Sequence, residues 1–382
     1  MDKFGFVKLK DVCNINMGQS PDSDSYNDNE DGIPFFQGNA DFGEKYPTTR
    51  KWCNAPTKIA HAEDILISVR APIGALNYAK EECCIGRGLA AITPNQDKVS
   101  SGFIYWLLKG KHKELNLQGT GSTFKAISRK VLEEIKVPDI ELKKQTELAG
   151  SLEKIYSVIQ LRKQQLEELD ILIKARFVEM FGDPIQNEKN WSRRSLEQLC
   201  HSIVDCPHST PNYISEDTGF MCIRTSVVKK NKILWDEIEY IVEDEFNQRI
   251  QRKRPEKGDI VYTREGAILG IAAIIDRNCN VALGQRSMLL SPDSSVCTSE
   301  FICTAMNSDS FLSNALRGIS GSASPHINVG DIKSFEMIAP PLELQRKFSE
   351  FNSQVDKLKV EVQKSLDEMQ ILFDSLMQEY FG

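Results

Sequence analysis

The sequence predicts an α+β chain: two tandem heads of mixed α and β structure and two long helices, the helices pairing as an antiparallel coiled coil under a pseudo-two-fold repeat. Three observations carry this. First, the two halves match at an offset of 200 residues: Gly121-Ser122 recurs as Gly321-Ser322, Gln145 as Gln345, Leu166 as Leu366, Ile171-Leu172 as Ile371-Leu372 and Phe181-Gly182 as Phe381-Gly382. Second, both matched segments carry apolar residues at alternating steps of four and three. Third, the stretches between them hold short β-type runs punctuated by Gly and Pro. A self-match at this distance marks a repeat of whole units, because solenoids repeat about every 20–50 residues.

The repeat extends upstream with a drifting offset. Phe6-Val-Lys-Leu is similar to Trp191-Ser-Arg-Arg, Glu63-Asp64-Ile65-Leu66 to Gly258-Asp259-Ile260-Val261, Ile85-Gly86-Arg87 to Leu283-Gly284-Gln285-Arg286, and Phe103-Ile104 to Phe301-Ile302. Insertions therefore fall in the heads. Loops tolerate insertion and carry recognition, whereas a packed helical seam does not.

The heads, residues 1–137 and 183–339, contain the runs Asp64–Val69, Leu89–Ile92, Asp259–Tyr262, Ile271–Ile275 and Ser287–Leu290, interrupted by helical stretches such as Phe103–Leu108. This pattern predicts heads built on a strongly curved or barrel-like sheet. The helices occupy 138–182 and 340–382. In the first, the four–three positions are Leu148, Leu152, Ile155, Ile159, Arg162, Leu166, Leu169, Ile173, Arg176 and Met180. In the second they are Phe348, Asn352, Val355, Lys359, Val362, Leu366, Met369, Phe373, Leu376 and Tyr380. Eight of ten are apolar in each set, which is the a/d seam of a coiled coil. Helices of ~37 residues would be roughly 55 Å long, and such a helix needs a partner. With a globular head between them, the economical partner is the repeat itself, antiparallel. Arg176 then falls near the level of Asn352. Phe181-Gly-Asp-Pro184 ends the first helix, Gly as cap and Pro as a bar to continuation. The helix starts differ, Val137-Pro-Asp against Pro340-Pro-Leu-Glu, and predict two starts that sit differently.

Composition narrows the function. Ten cysteines without a regular framework fit a reduced, intracellular protein. The N-terminus MDKFGFVKLKDV has no apolar signal region, and the longest low-charge stretch, Gly266–Ile275, is too short to span a bilayer. A net charge of −7 argues against binding nucleic acid by bulk charge alone. Residues 1–140 balance 18 positive against 18 negative charges, five of the latter within Asp22–Asp31. Basic runs remain at Lys109, Lys111 and Lys113, and at Arg249, Arg252, Lys253, Arg254 and Lys257.

Catalytic motifs are missing. There is no Asn/Asp-Pro-Pro-aromatic string of an amino-methyltransferase and no GxxxxGK[ST] phosphate loop. Gly119-Thr-Gly-Ser-Thr-Phe124 lacks the third glycine of a dinucleotide loop. Pro138-Asp139-Ile-Glu141-Leu-Lys143 is similar to a nuclease PD…ExK set, but its acidic residues are too close to sit on separate strands around a metal. Cys200, His201, Cys206 and His208 are spaced too widely for a zinc site, and the first half keeps only Cys13. No metal site is expected.

Taken together, the paired head–helix repeat, the lead-ins Phe6–Val12 and Trp191–Leu199, and the strings Gly32-Ile-Pro-Phe-Phe-Gln-Gly38, Gly258-Asp-Ile-Val261, Gly321-Ser322, Pro340-Pro-Leu-Glu-Leu-Gln345 and Phe181-Gly-Asp-Pro184 resemble the specificity (S, HsdS) subunit of type I restriction–modification systems. The resemblance covers essentially the whole chain. It implies two target-recognition domains (1–137 and 183–339), each reading half of a split sequence in double-stranded DNA. It also implies two spacer helices (138–182 and 340–382) that dock two methyltransferase (M) subunits, with restriction (R) subunits joining. The chain itself would be non-catalytic and hold no cofactor. S-adenosylmethionine, ATP and Mg2+ would be used by the partners. The setting would be the prokaryotic cytoplasm, on the nucleoid when bound to DNA.

Base edges are read by forked or amide side chains, and phosphates by hydroxyls and cations. The repeat then marks candidates: Gln37 and Asn39 against Arg224 and Ser226, Arg70 after one strand and Arg264 after its counterpart, Arg87 against Gln285 and Arg286, and Ser122 and Lys125 against Ser322. Equivalent positions with different polar residues are what two different half-sites require. The helix residues expected to hold the coiled coil and dock subunits are Leu148, Leu152, Ile155, Ile159, Leu166, Leu169, Ile173, Phe348, Val355, Val362, Leu366, Met369 and Phe373. Two other readings stay open: a self-contained nuclease or methyltransferase, and a coiled-coil scaffold with two protein-binding heads.

Overall fold

The computed structural model describes residues 5–120, 125–317 and 325–382; Ser122 and Ser322 lie outside them. Contacts divide the chain into two units, 1–163 with 364–382, and 164–363. Each unit therefore holds one head and a part of both long helices.

In the first unit the main strands are β1 (Gly5–Lys8), β2 (Cys13–Met17), β3 (Ile33–Phe36), β4 (Ile65–Ser68), β5 (Leu76–Tyr78), β6 (Cys83–Ile85), β7 (Leu89–Pro94) and β8 (Lys136–Asp139). β1 pairs with β8, closing the head where the chain enters and leaves it. An antiparallel sheet runs β2-β7-β4-β5, and β3 lies parallel to β6 in a second sheet of very short strands. β4 is apolar without alternation because both faces are buried. Ile65 and Ile67 enter one core, with Ala90, Ile92, Phe103 and Trp106, and Leu66 enters another, with Phe36, Ile85 and Leu89.

The second unit repeats this scheme with β9 (Arg193–Ser195), β10 (Cys200–Asp205), β11 (Met221–Ile223), β12 (Ile260–Thr263), β13 (Ala272–Ile274), β14 (Val281–Leu283), β15 (Ser287–Pro292) and β16 (Glu336–Ile338). The sheet is β10-β15-β12-β13, and β11 lies parallel to β14. Register corrects one equivalence. Phe6 faces Pro138 and Arg193 faces Ile338, so the counterpart of Phe6 is Arg193, not Trp191. Trp191 belongs to the linker instead. Its indole N–H donates to the Phe181 carbonyl at 2.9 Å and satisfies one of the free carbonyls at the end of the first long helix.

Both long helices have 40 residues, Leu142–Phe181 and Leu342–Phe381. Every expected seam residue is buried or half-buried, including the polar ones. In the first unit the rings of Tyr156 and Phe373 lie 6.0 Å apart. In the second, Asp170 pairs with Lys359 at 2.6 Å, and Phe177 meets Phe348 at 5.5 Å. Residue numbers fall on one helix as they rise on the other, so the pair is antiparallel. Arg176 stacks on Phe351, 5.7 Å from the ring centroid and next to the expected Asn352.

The helix starts are alike, contrary to the expectation from their different lead-ins, because one buried glutamine clamps each. Gln145 accepts the Ser100 N–H at 3.0 Å and donates to the Ile140 carbonyl at 2.8 Å. Gln345 accepts the Thr298 N–H at 3.0 Å and donates to the Pro340 carbonyl at 2.8 Å. The helix ends are exchanged between halves. Phe103 of the first head packs on Phe381, and Phe301 of the second packs on Phe181, with centroids 5.1 and 4.9 Å apart. Among the described residues no helix is long and apolar enough to cross a membrane.

Candidate nucleic-acid interface

Antiparallel order brings the end of β2, the end of β4 and the start of β7 to one edge of the first head's sheet. Backbone hydrogen bonds tie the loops there. Gly18 N–H donates to the Leu89 carbonyl, Val69 N–H to Gly88, Gly86 N–H to Phe36 and Ala71 N–H to Lys125, at 2.8–3.1 Å. Gly18 is required by this crowding, since a Cβ there would run into the Gly86 carbonyl oxygen. The result is a rim carrying Ser20, Gln37, Asn39, Arg70, Arg87 and Lys125. Gln37 Nε2 donates to Ser20 Oγ at 2.9 Å, and Ser20 Oγ accepts the Arg87 N–H at 3.4 Å. Arg70, Arg87 and Lys125 are exposed.

The same hydrogen bonds recur in the second head and fix its equivalences. Arg264 N–H donates to Arg286 as Val69 does to Gly88. Ile327 N–H donates to Arg264 as Ile127 does to Val69. Gly284 N–H donates to Ile223 as Gly86 does to Phe36. Glu265 bridges to His326 as Arg70 bridges to Ala126. The counterparts are therefore Gln37 and Arg224, Asn39 and Ser226, Arg87 and Gln285, and Arg70 and Glu265. The parallel between Arg70 and Arg264 is off by one residue: Arg264 matches Val69.

That shift decides what Arg264 does. The residue is 7 % exposed, and its guanidinium gives Nε to Asp205 Oδ1 at 2.9 Å and Nη2 to Oδ2 at 3.3 Å. Arg264 is thus turned into the head and not toward the rim. Arg224 stays exposed but is ion-paired with Glu239 and stacked 4.7 Å from the Tyr213 ring centroid. Ser226 and Arg286 are exposed, and Gln285 is half-buried, accepting from Thr210 Oγ1 at 3.3 Å. Part of the basic run at 249–257 also faces inward. Arg249 donates to the Ser209 carbonyl at 2.9 Å and Arg252 to that of Asp205 at 3.2 Å, so both brace the loop after β10. Ser20, His208, Thr210 and Glu265 join the rims without a sequence signal, since only the loop hydrogen bonds bring them there.

Cys206 is buried and its sulfur accepts the Ser287 N–H at 3.3 Å, while Cys200 packs in the core and His201 is exposed. Among the described residues no group of three or more His, Cys, Asp or Glu is placed to hold a metal ion. All ten cysteines are free. Burial pushes the thiols of Cys13, Cys200 and Cys222 up to about 12.

The outer surface of the helix pair carries a second duplicated feature. Val158, Leu161, Ile371 and Leu372 are exposed in the first unit, and Ile171, Leu172, Leu358 and Val360 in the second. The residues expected to hold the pair and dock subunits lie buried or half-buried along the seam. The exposed apolar residues are others, on faces turned away from it.

Two heads with matching rims parallel a sequence finding. A family model described as the type I restriction modification DNA specificity domain matches the chain twice, at residues 1–170 and 188–368. The chain belongs to that family. Among relatives in this family, a putative type I restriction enzyme MjaX specificity subunit of Methanocaldococcus jannaschii is 44% identical over 156 residues, 41% of this chain and 37% of that protein. The match thus spans little more than a third of that relative's length. The EcoBI specificity subunit of Escherichia coli is 20% identical over 98% of this chain and 85% of its own. The crystal structure of a type I restriction–modification S subunit from M. genitalium aligns over 100% of this chain and 97% of that one, with a TM-score of 0.65 and 14% identity. The two-head, two-helix fold is therefore that of a solved S subunit.

Proposed function

We propose that the chain is the DNA-specificity subunit of a type I restriction–modification complex. Each rim reads one half of a bipartite sequence in double-stranded DNA. Each apolar patch on the helix pair docks one methyltransferase subunit, giving two copies, and restriction subunits join that core. The chain performs no chemistry; adenine methylation with S-adenosylmethionine, and ATP- and Mg2+-dependent cleavage, belong to the partners. The complex works in the prokaryotic cytoplasm, on the nucleoid when bound.

The observation that carries this reading is the duplicated rim: one backbone frame, built twice, holding different polar side chains. A frame kept while its side chains change is suited to presenting different donors and acceptors to two base-pair sequences. Gln37 and Arg87 in one head, and Gln285 and Arg286 in the other, are amide and forked groups of the kind that read base edges. Lys125 and Ser226 suit phosphate contacts, which position without specifying.

The test is long-read mapping of adenine methylation in a host, with and without this gene and its methyltransferase partner. A split motif that appears only with this chain is the expected result. Absence of any motif, in a complex that forms with a methyltransferase active on another specificity subunit, would favour a protein-binding scaffold.

A further inference from the structure

We propose that Arg70 and Glu265 set base identity at one equivalent position of the two half-sites, Arg70 selecting guanine and Glu265 selecting cytosine. The proposal rests on the DNA-reading role given above. The two residues are structural counterparts: each is the second residue past the end of its central strand, and each bridges to the loop that precedes the head's last helix, Arg70 to Ala126 and Glu265 to His326. Among the described residues, no other matched pair on the two rims inverts charge.

Glu265 carries most of the argument. A carboxylate on a surface that meets DNA is repelled by the phosphates, which line the duplex at about one negative charge per 1.7 Å. Glu265 forms no ion pair among the described residues, although Arg286 stands on the same rim. Base edges are what can offer it donors, through exocyclic amino groups in the major groove. Cytosine N4 does so with no competing acceptor beside it. Adenine N6 adjoins N7, whose lone pair would face the carboxylate, so cytosine is favoured. The same carboxylate rejects guanine and thymine, whose major-groove edges present oxygen acceptors, and repulsion of the wrong partner is an effective source of specificity.

Arg70 alone could grip a phosphate as readily as a base. Its position removes that ambiguity, because it occupies the place that in the other head holds a group unable to touch phosphate. Lys125, exposed on the same rim, is available for the backbone. A guanidinium aimed at a base edge matches guanine O6 and N7 with two parallel N–H groups.

The experiment is methylation-motif mapping of the full complex with wild-type chain, Arg70→Ala and Glu265→Ala. Wild type should give a split motif with a guanine in one half and a cytosine in the other at the positions the variants affect. Arg70→Ala should relax that guanine alone, lowering discrimination about 5–150-fold, the range of one bidentate contact; Glu265→Ala should relax the cytosine alone. The untouched half-site is the internal control for folding. Arg70→Lys keeps the charge and loses the fork, so it should relax the guanine as alanine does. Uniformly weaker methylation with an intact motif, an unchanged motif, or relaxation at a base other than guanine or cytosine would overturn the assignment. A wild-type complex with no split motif would instead sink the DNA-reading role itself.

Discussion

Asp205 and Arg264 stand where the first head has Met17 and Val69: Met17 faces Ala90 and Asp205 faces the matching Met288. Met17 and Val69 pack on the first head's core, so the second head has exchanged an apolar pair for a buried ion pair. The exchange is costly to undo by halves. Among the described residues, Arg264→Val leaves the Asp205 carboxylate no partner of fixed charge, the remaining neighbour being the His208 imidazole 3.1 Å away. It should destabilise the second head by about 3–5 kcal/mol, whereas the double change Asp205→Met/Arg264→Val should return stability to within about 1 kcal/mol of wild type. Denaturant unfolding followed by hydrogen exchange in β12 and β15 would measure this. A single variant as stable as wild type would mean that the pair is not holding the sheet edge. No sequence pattern shows this role. Arg264 follows a strand, as a DNA-reading residue would, and its partner lies 59 residues away. Arg70, one register position different, faces outward for the same reason that Arg264 faces inward: alternate residues of an extended chain point to opposite sides.

The helices were the legible elements. A four–three apolar spacing and an offset of 200 place both seams, because a helix pair buries one stripe and the stripe is written in the sequence. The strands Ile65–Ser68, Leu89–Pro94, Ile260–Thr263 and Ser287–Pro292 were legible as continuous apolar runs. The second sheet of each head was not. Strands such as Tyr26–Asn27 and Trp52–Cys53 have two residues each, too few for any periodicity. Nor was the clamp visible: Gln145 and Gln345 were a repeated letter, and only burial to 2 % and 1 % shows their work. Gln345→Ala leaves the Thr298 N–H and the Pro340 carbonyl without their partner and should cost about 1–3 kcal/mol. Gln345→Glu should cost at least as much, since a buried carboxylate cannot donate to that carbonyl. Thermal unfolding of the two variants checks both. The outer apolar faces answer to a different measurement. Ile171 and Ile371 are 63% and 70% exposed, so Ile371→Glu should change stability by no more than about 0.5 kcal/mol. Native mass spectrometry with the methyltransferase should then show one copy bound instead of two. Two copies retained would remove this face from the docking surface.

Both 40-residue helices begin in the unit of one head and end in the unit of the other, so under the proposed DNA-reading role a ruler between two half-sites is a prediction that helix length can test. Rise and rotation make separate demands on that ruler. One heptad inserted into each helix keeps the a/d seam in register and adds about 10 Å, which is about three base pairs at 3.4 Å each. Seven residues are nearly two whole helical turns, so a head is translated with little rotation. Three base pairs, however, turn the duplex by roughly a third of its turn of about 10–10.5 base pairs. The shifted half-site then faces partly away, and methylation should slow although the motif, where it is still read, has the same halves and a longer gap. Three heptads add about 31 Å, within a few ångströms of the 34–36 Å of one DNA turn. They should restore the rate with a gap about nine or ten base pairs longer. A four-residue insertion breaks the seam and should lose the pair, visible as a lower unfolding temperature. Methylation-motif mapping over this series separates the possibilities: a gap that grows with the heptads, with both halves fixed, makes the helices the ruler, and a gap that stays constant while they lengthen means the partner subunits set the spacing.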